Sequence, residues 1–347
     1  MKTKIIRTSR APWDSNWKAD SLLIYDRYLL KVPGFRGWLK RFPASYGVKA
    51  GEELKDISAF PGHLSRISRL TSEMASRRMT ILVAGGGSVG DFGGFVASIY
   101  KRGVRLVHLP TTWLAAIDSS HGGKTALNVE GAKNQIGTFY PASEVYLVKP
   151  FLMAQPPERA VEATGEALKM MILKGSAFFP PRIFTKDPSE ALWTALPKLI
   201  QGKMSIVEKD PTETSGFRHL LNLGHTMGHV FEAELKMPHG LSVTYGLIFA
   251  LIYSRSRRDC SEKDLAAIFS HPAWRMFLPS ALHLRSLSIP PSRIRTLLLK
   301  DKKRTSRQLL RFIFVRKMGK PFIREIGVDE ILDEVARQKR LLKVVYG

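Results

Sequence analysis

Short aliphatic runs alternate with small-residue segments through the first half of the chain. Leu22–Tyr25, Thr80–Ala84, Val104–Leu109 and Val145–Val148 have the length and β-branched character of buried strands. Glycines follow the second run and Pro110 closes the third. Strands separated by helix-length stretches predict βαβ units around a mostly parallel sheet. Beyond about Pro150 the pattern lengthens into helical periodicity, over Pro157–Lys174, Leu192–Lys209, Arg218–Leu235, Val243–Arg258 and Val328–Val344. Pro180-Pro181 and Pro290-Pro291 interrupt it. The expected architecture is an α/β N-terminal domain over 1–154 and an all-α C-terminal domain over 155–347.

Composition narrows the class. A chain of 347 residues with 44% hydrophobic and 24% charged positions can bury a core, which excludes a disordered or fibrous protein. Cys260 is the only cysteine, so a disulfide framework and an all-cysteine metal site are both excluded. No apolar run approaches the roughly 18–20 residues that span a bilayer. The basic N-terminus lacks the apolar core of a signal peptide, and a cytoplasmic location is expected. Lys and Arg outnumber Asp and Glu by 54 to 30, a formal charge of +24 that points to anionic partners. Basic–aromatic interleaving, zinc fingers and a recognition-helix signature are missing, so phosphorylated or carboxylated metabolites are favoured over nucleic acid.

Three stretches carry candidate chemistry. The strand Thr80–Ala84 runs into Gly85-Gly86-Gly87-Ser88-Val89-Gly90-Asp91, ahead of a small-residue helix over Phe92–Tyr100. Such a turn lets backbone amides approach a pyrophosphate at a helix N-terminus. The acidic residue expected about 20 positions later in a dinucleotide fold is replaced by His108-Leu109-Pro110-Thr111-Thr112, so a standard dinucleotide fold is not expected. Next, Asp118-Ser119-Ser120-His121-Gly122-Gly123-Lys124-Thr125-Ala126-Leu127-Asn128 and Lys133-Asn134-Gln135-Ile136-Gly137 read as a loop for an anionic or polyhydroxylated ligand.

The third stretch is Arg218-His219-Leu220-Leu221-Asn222-Leu223-Gly224-His225-Thr226-Met227-Gly228-His229. Arg218, Asn222, His225 and His229 follow at intervals of four, three and four, which puts them on one face of a continuous helix. Either both histidines chelate one metal, or one ligates and the other works in acid–base catalysis. His239 and Glu166 are further candidate ligands, and Glu166 shares a helical face with Lys169. A glutamate with two histidines would leave a position open for substrate.

In this order, these pieces resemble the 3-dehydroquinate synthase family of sugar-phosphate cyclases. The resemblance extends to Gly51-Glu52-Glu53-Leu54-Lys55, Tyr100-Lys101-Arg102-Gly103, Gly165-Glu166-Ala167-Leu168-Lys169, His239-Gly240, Lys300-Asp301-Lys302-Lys303 and Met318-Gly319-Lys320-Pro321. It implies an NAD-binding α/β domain, a helical domain holding Zn2+ (or Co2+), and a homodimer. Glu166, His225 and His239 are then the metal ligands. Glu52, Lys55, Gly86, Gly87, Ser88, Asp91, Thr111, Thr112, Asp118, Ser119, Lys124 and Lys133 correspond to cofactor contacts. Lys124, Asn134, Lys169, Lys203, Arg218, Asn222, His229 and one of Lys302 and Lys303 correspond to substrate-side and catalytic residues, and Arg102 to an arginine offered across the dimer.

The implied reaction is a phosphate-eliminating lyase step of the shikimate pathway toward aromatic amino acids. It cyclises 3-deoxy-D-arabino-heptulosonate 7-phosphate, an anionic sugar phosphate, to 3-dehydroquinate. Related cyclases of the valiolone and deoxyinosose type, and metal-dependent alcohol dehydrogenases, are the alternatives. Arg218 and Asn222, on the carboxylate side, favour dehydroquinate. The chain departs from the family at Leu241, usually glutamate, and at His121, usually valine.

Overall fold

The aliphatic runs of the first half assemble into a six-stranded sheet. The computed structural model describes residues 3–10, 20–74, 78–178, 180–181, 187–277, 289–300 and 309–346. They fall into two units, Met1–Arg159 and Ala160–Gly347. The strands of the first are β1 (Lys4–Thr8), β2 (Ser21–Asp26), β3 (Ala44–Val48), β4 (Thr80–Gly85), β5 (Arg105–Pro110), β6 (Lys124–Val129), β7 (Ala132–Phe139) and β8 (Glu144–Val148). The sheet order is β1-β8-β5-β4-β2-β3 and every pairing within it is parallel. β2 and β4 are buried along nearly their whole length, which is why they read as unbroken aliphatic runs rather than alternating ones.

From β2 the chain moves outward to β3. From β4 it moves the opposite way, through β5 to β8. The reversal lies between β2 and β4, and ligands of open α/β sheets gather at the carboxyl ends of strands flanking such a point. The glycine turn sits there, at the end of β4.

Helices α1 (Phe35–Leu39), α2 (Phe60–Leu70), α3 (Gly87–Ile99), α4 (Lys149–Met153) and α5 (Pro157–Glu162) complete this half of the chain. Leu23, Leu82 and Val107 pack with Phe35, Trp38 and Phe42 in one core. Trp38 meets Phe35 and Phe42 edge-on, at 5.7 and 4.9 Å between ring centres.

The polar segment from Lys124 is not a loop: β6 and β7 pair as an antiparallel hairpin. Thr125 and Leu127 are buried while Lys124 is exposed, so the strand alternation is present although the polar composition hides it.

The second unit holds α6 (Thr164–Lys174), α7 (Pro188–Val207), α8 (His225–Leu235), α9 (His239–Ser256), α10 (Glu262–Phe269), α11 (Pro272–Phe277), α12 (Pro291–Lys300) and α13 (Val328–Tyr346). A hairpin of β9 (Leu309–Val315) and β10 (Pro321–Gly327) joins these helices. Phe312 and Phe314 of the hairpin pack on Tyr253 of α9 at 5.5 and 5.1 Å.

Arg218–Leu235 is not one helix, contrary to the sequence expectation. A 3-10 segment covers Phe217–Asn222, and α8 begins at His225. Gly224 between them has φ +81, a left-handed conformation that ends any helix running through it. The stretch Pro157–Lys174 similarly divides into α5 and α6. Among the described residues no helix is long and apolar enough to cross a membrane.

One buried group makes the first unit sensitive to acid. His108 on β5 is 7% exposed, and burial pushes its pKa down from 6.5 to about 4. The folded state keeps the ring neutral, whereas the unfolded chain takes up a proton as pH falls below 6.5. Stability is therefore lost between pH 6.5 and about 4. Over that window the wild type is expected to lose up to about 3 kcal/mol more than His108→Gln, at about 1.4 kcal/mol per pH unit. Urea titrations at several pH values read this difference.

Candidate active site

In the first unit the glycine turn, the segment after β3 and the β6–β7 hairpin meet. Gly86 lies against Thr112, whose methyl would stand 3.1 Å from an added Cβ, and Gly87 lies similarly 3.3 Å from the Ser119 hydroxyl. Thr111 donates its backbone N–H to Gly85 O, and Thr112 Oγ1 accepts from Ala115 N. The turn is thus braced by the loop that carries Asp118. Ser88 Oγ accepts from Gly51 N at 3.1 Å, which ties the start of α3 to the Glu52–Lys55 segment.

Lys55 is 3% exposed and donates to Asp91 Oδ2 at 2.6 Å and Asn134 Oδ1 at 2.5 Å. Burial raises the Asp91 carboxyl above its ordinary value against the opposing pull of Lys55. Asn134, with φ +55, donates its backbone N–H to Asn128 Oδ1 at 2.9 Å, and Asn128 Nδ2 donates to Glu52 Oε2 at 2.8 Å. Lys124 and Lys133 are exposed on the hairpin. Arg102 is exposed in a 3-10 turn with φ +65, next to Lys101 with φ +49. Two successive left-handed non-glycine residues are a strained arrangement of the kind that accompanies functional sites.

In the second unit three helices converge. Glu166 and Lys169 lie on α6, His225 and His229 on α8, and His239 opens α9. Close backbone contact makes the convergence possible. A Cβ on Gly240, beside His239, would fall 1.3 Å from Glu162 O, and one on Gly165, beside Glu166, 2.0 Å from Gly240 O. A Cβ on Gly246 of α9 would fall 1.8 Å from Gly224 O, just before His225. Larger residues at these positions would drive the three ligand-bearing segments apart.

Glu166 is 1% exposed and forms an ion pair with Lys169. Its Oε1 lies 3.2 Å from His225 Nε2 and 3.7 Å from His239 Nε2. Burial opposes ionisation of Glu166, yet Lys169, His225 and His239 outweigh it and hold the carboxyl well below the usual range. Neither carboxylate oxygen has an aligned hydrogen bond, which is unusual for so deeply buried a charge.

One donor atom from each of Glu166, His225 and His239 lies within 4.8 Å of the others. His225 Nδ1 donates to Leu223 O at 3.2 Å, and His239 Nδ1 donates to Glu232 Oε2 at 2.8 Å. Both Nε2 atoms are thereby turned toward the Glu166 carboxylate. Burial lowers the His225 pKa to about 4, keeping this ring neutral. Burial also disfavours charge on His239, but Glu166 and Glu232 override it and raise that pKa to about 9, so the pocket favours positive charge. Two imidazole nitrogens and a carboxylate oxygen are a donor set that fits a zinc-like divalent ion and uses three of its positions.

The other substrate-side candidates are placed by separate elements. His229 is exposed on α8, its ring 5.5 Å from His225. Lys203 is buried on α7 at 5% exposure. Arg218 and Asn222 sit on the 3-10 segment rather than on the histidine helix. Arg218 is held from below: Asp210 accepts backbone N–H groups of Thr214, Ser215 and Arg218, while Arg218 Nη1 donates to Pro211 O at 2.7 Å. Burial alone would raise the Asp210 pKa, but these donors lower it to about 2. Lys302 and Lys303 lie outside the described residues. Sequence reading singled out neither Glu232, Asp210 nor Asn128 as a supporting partner. Glu232 carried one usable signal, its i+3 spacing from His229 on one helix.

A parallel α/β unit with a phosphate-type glycine turn, followed by a helical unit with an open Glu-His-His centre, defines a class of nucleotide- and metal-dependent enzymes. Known proteins make the class specific. The family profile for the N-terminal part of 3-dehydroquinate synthase matches residues 45–162, and that for the C-terminal part matches 163–304. The 3-dehydroquinate synthase of Lysinibacillus sphaericus is 32% identical over 341 residues, 94% of this chain and 90% of the relative. That of Zymomonas mobilis is 34% identical over 281 residues, 78% and 73% of the two chains. The chain belongs to the 3-dehydroquinate synthase family. A 2-deoxy-scyllo-inosose synthase solved with carbaglucose-6-phosphate, NAD+ and Co2+ shares the fold, with TM-score 0.81 over 95% of each chain at 24% identity.

Two outcomes test this geometry. Gly240→Ala is expected to unfold the second unit or displace α9, seen as loss of metal binding together with a lower melting temperature. Asp210→Ala frees three backbone donors beside Arg218 and is expected to raise KM for an anionic substrate by about 10-fold or more, as for loss of a buried multi-donor acceptor. In the wild type, the contribution of Asp210 to stability is present above its ordinary value of 3.8 and lost as pH falls through about 2.

Proposed function

We propose that this chain converts 3-deoxy-D-arabino-heptulosonate 7-phosphate to 3-dehydroquinate with release of phosphate, using NAD and a divalent metal. The observation that carries the reading is the buried Glu166 carboxylate facing both His225 and His239 at family motif positions. When bound, NAD would supply a reversible hydride acceptor for the ring carbon and the divalent metal a Lewis acid for its hydroxyl oxygen.

The chain's own residues do the remaining work. In the first unit the glycine turn, Asp91, Thr111, Thr112, Asp118 and Ser119 are the cofactor-side groups, together with Glu52, Lys55, Lys124 and Lys133. Lys124 and Asn134 are also assigned to substrate. Lys55 orients Asp91 and Asn134 by donating to both. In the second unit Glu166, His225 and His239 are the metal-side groups. Lys169, Lys203, Arg218 and Asn222 bind and orient the acidic sugar phosphate, where cations and amides match phosphate and carboxylate oxygens. Lys169 also offsets the charge of buried Glu166. His229, exposed beside His225, moves protons in this reading, its imidazole offering one nitrogen that can donate and one that can accept. Arg102 is offered across a homodimer interface in this reading.

Purified protein supplied with the heptulosonate phosphate, NAD and zinc is expected to release phosphate, form 3-dehydroquinate and accumulate no NADH. Stoichiometric NADH would point instead to an alcohol dehydrogenase. Turnover only of sugar phosphates lacking a carboxylate would point to a related cyclase. Glu166→Gln is expected to lower kcat by more than about 100-fold, beyond the range for residues that only support a ligand.

A further inference from the structure

We infer that Glu232 is the positioning residue of this site, fixing the ring of His239 so that its Nε2 faces Glu166. The inference rests on the metal-centre reading above and extends it to a residue that none of the matched motifs assigns. Glu232 sits on α8, three residues beyond His229, and its Oε2 accepts from His239 Nδ1 at 2.8 Å.

The two rings differ in how they are held. His225 is oriented by its own local backbone, through Leu223 O at 3.2 Å, so the 3-10 segment and α8 set it without side-chain help. His239 opens α9 and has no such neighbour: its ring is oriented by a side chain from a different helix. It is also the more open ring, with 33% of its side chain exposed against 12% for His225. An open imidazole can turn about its side-chain bonds, and a carboxylate acceptor on one ring nitrogen removes that freedom and fixes the tautomer. Leu241, two residues on from His239, offers no acceptor. The Glu232–His239 bond also joins α8 to the start of α9, whose separation is already fixed by the backbone contact of Gly246 with Gly224.

With Nδ1 held by this acceptor, Nε2 is the nitrogen that offers a lone pair to the site once a cation displaces its proton, and the acceptor's negative charge strengthens the ring as a donor to that cation. Removing the acceptor therefore weakens cation binding before it affects anything else. The test measures zinc affinity directly, by competition with a chromophoric chelator, on the intact protein. Glu232→Ala is expected to weaken zinc binding by about 10- to 100-fold. Glu232→Gln, which keeps an acceptor oxygen but loses the charge, is expected to fall between Ala and wild type. Cobalt absorption spectra of the loaded variants should shift in the same order, while the melting temperature of the metal-free proteins stays close to wild type.

Unchanged zinc affinity in both variants, with the wild type binding tightly, overturns the inference and leaves the metal centre standing. Weaker binding accompanied by an equal fall in metal-free melting temperature makes Glu232 a structural residue and also overturns it. A wild type that binds neither zinc nor cobalt overturns the metal centre, and this inference with it.

Discussion

The chemistry of the second unit depends on helices that touch backbone to backbone. Glu166, His225 and His239 come from three segments far apart in sequence, and side chains as short as glutamate and histidine meet only if their helices are very close. Gly165 against Gly240, and Gly224 against Gly246, provide that approach. Each candidate ligand has one of these glycines as a chain neighbour, so the close contact and the candidate ligand are set by the same residue pairs. A glycine inside a helix costs about 1 kcal/mol relative to alanine, a cost that Gly165, Gly240 and Gly246 incur and that close packing offsets here.

That closeness creates an electrostatic problem, and the neighbours of Glu166 answer it. A carboxylate 1% exposed is unstable alone. Lys169 and the two imidazoles supply the compensation, and the carboxyl stays ionised. The first unit solves the opposite problem with the same means. There a lysine is the buried charge, and Asp91 with Asn134 surrounds it. In both units the deeply buried ion bridges elements: Lys55 joins the segment after β3 to α3 and the hairpin, and Glu166 joins α6 to α8 and α9. These contacts hold candidate site residues in register as much as they bind anything.

Much of this was legible in the sequence. The central strands stood out because β2 and β4 are buried along nearly their whole length, so their aliphatic runs are unbroken. Among the candidate ligands, His225 stood out by its i, i+4 spacing from His229, and Glu166 and His239 by the family motifs around them. What failed was continuity. Spacing alone put Arg218 and Asn222 on the helix of His225 and His229, and only the left-handed φ of Gly224 separates them. A single glycine costs a helix only about 1 kcal/mol, so Gly224 does not by itself announce an end. The hairpin β6–β7 was hidden by its polar composition, because one of its strands is almost entirely exposed. Asp210, Asn128 and Glu232 were missed for one reason: each acts by holding another residue, and a supporting contact across elements leaves no motif of its own.

The likeness of fold to 2-deoxy-scyllo-inosose synthase shows that the scaffold does not choose the substrate. Residues must do so, and in the proposed reading those are the residues of the Arg218–Asn222 segment. A carboxylate on the substrate needs a planar, multi-donor cation held at fixed height, since an untethered arginine loses much of its binding advantage to side-chain entropy. Arg218 is 3% exposed, tied through its guanidinium to Pro211 O and through its backbone to Asp210. The break at Gly224 serves this as well. A continuous helix would dictate the direction of Arg218 from that of His225, whereas a separate 3-10 segment anchored by Asp210 lets the face proposed for the anion be oriented independently of the one proposed for the metal. Selectivity and metal binding can then diverge separately within one fold.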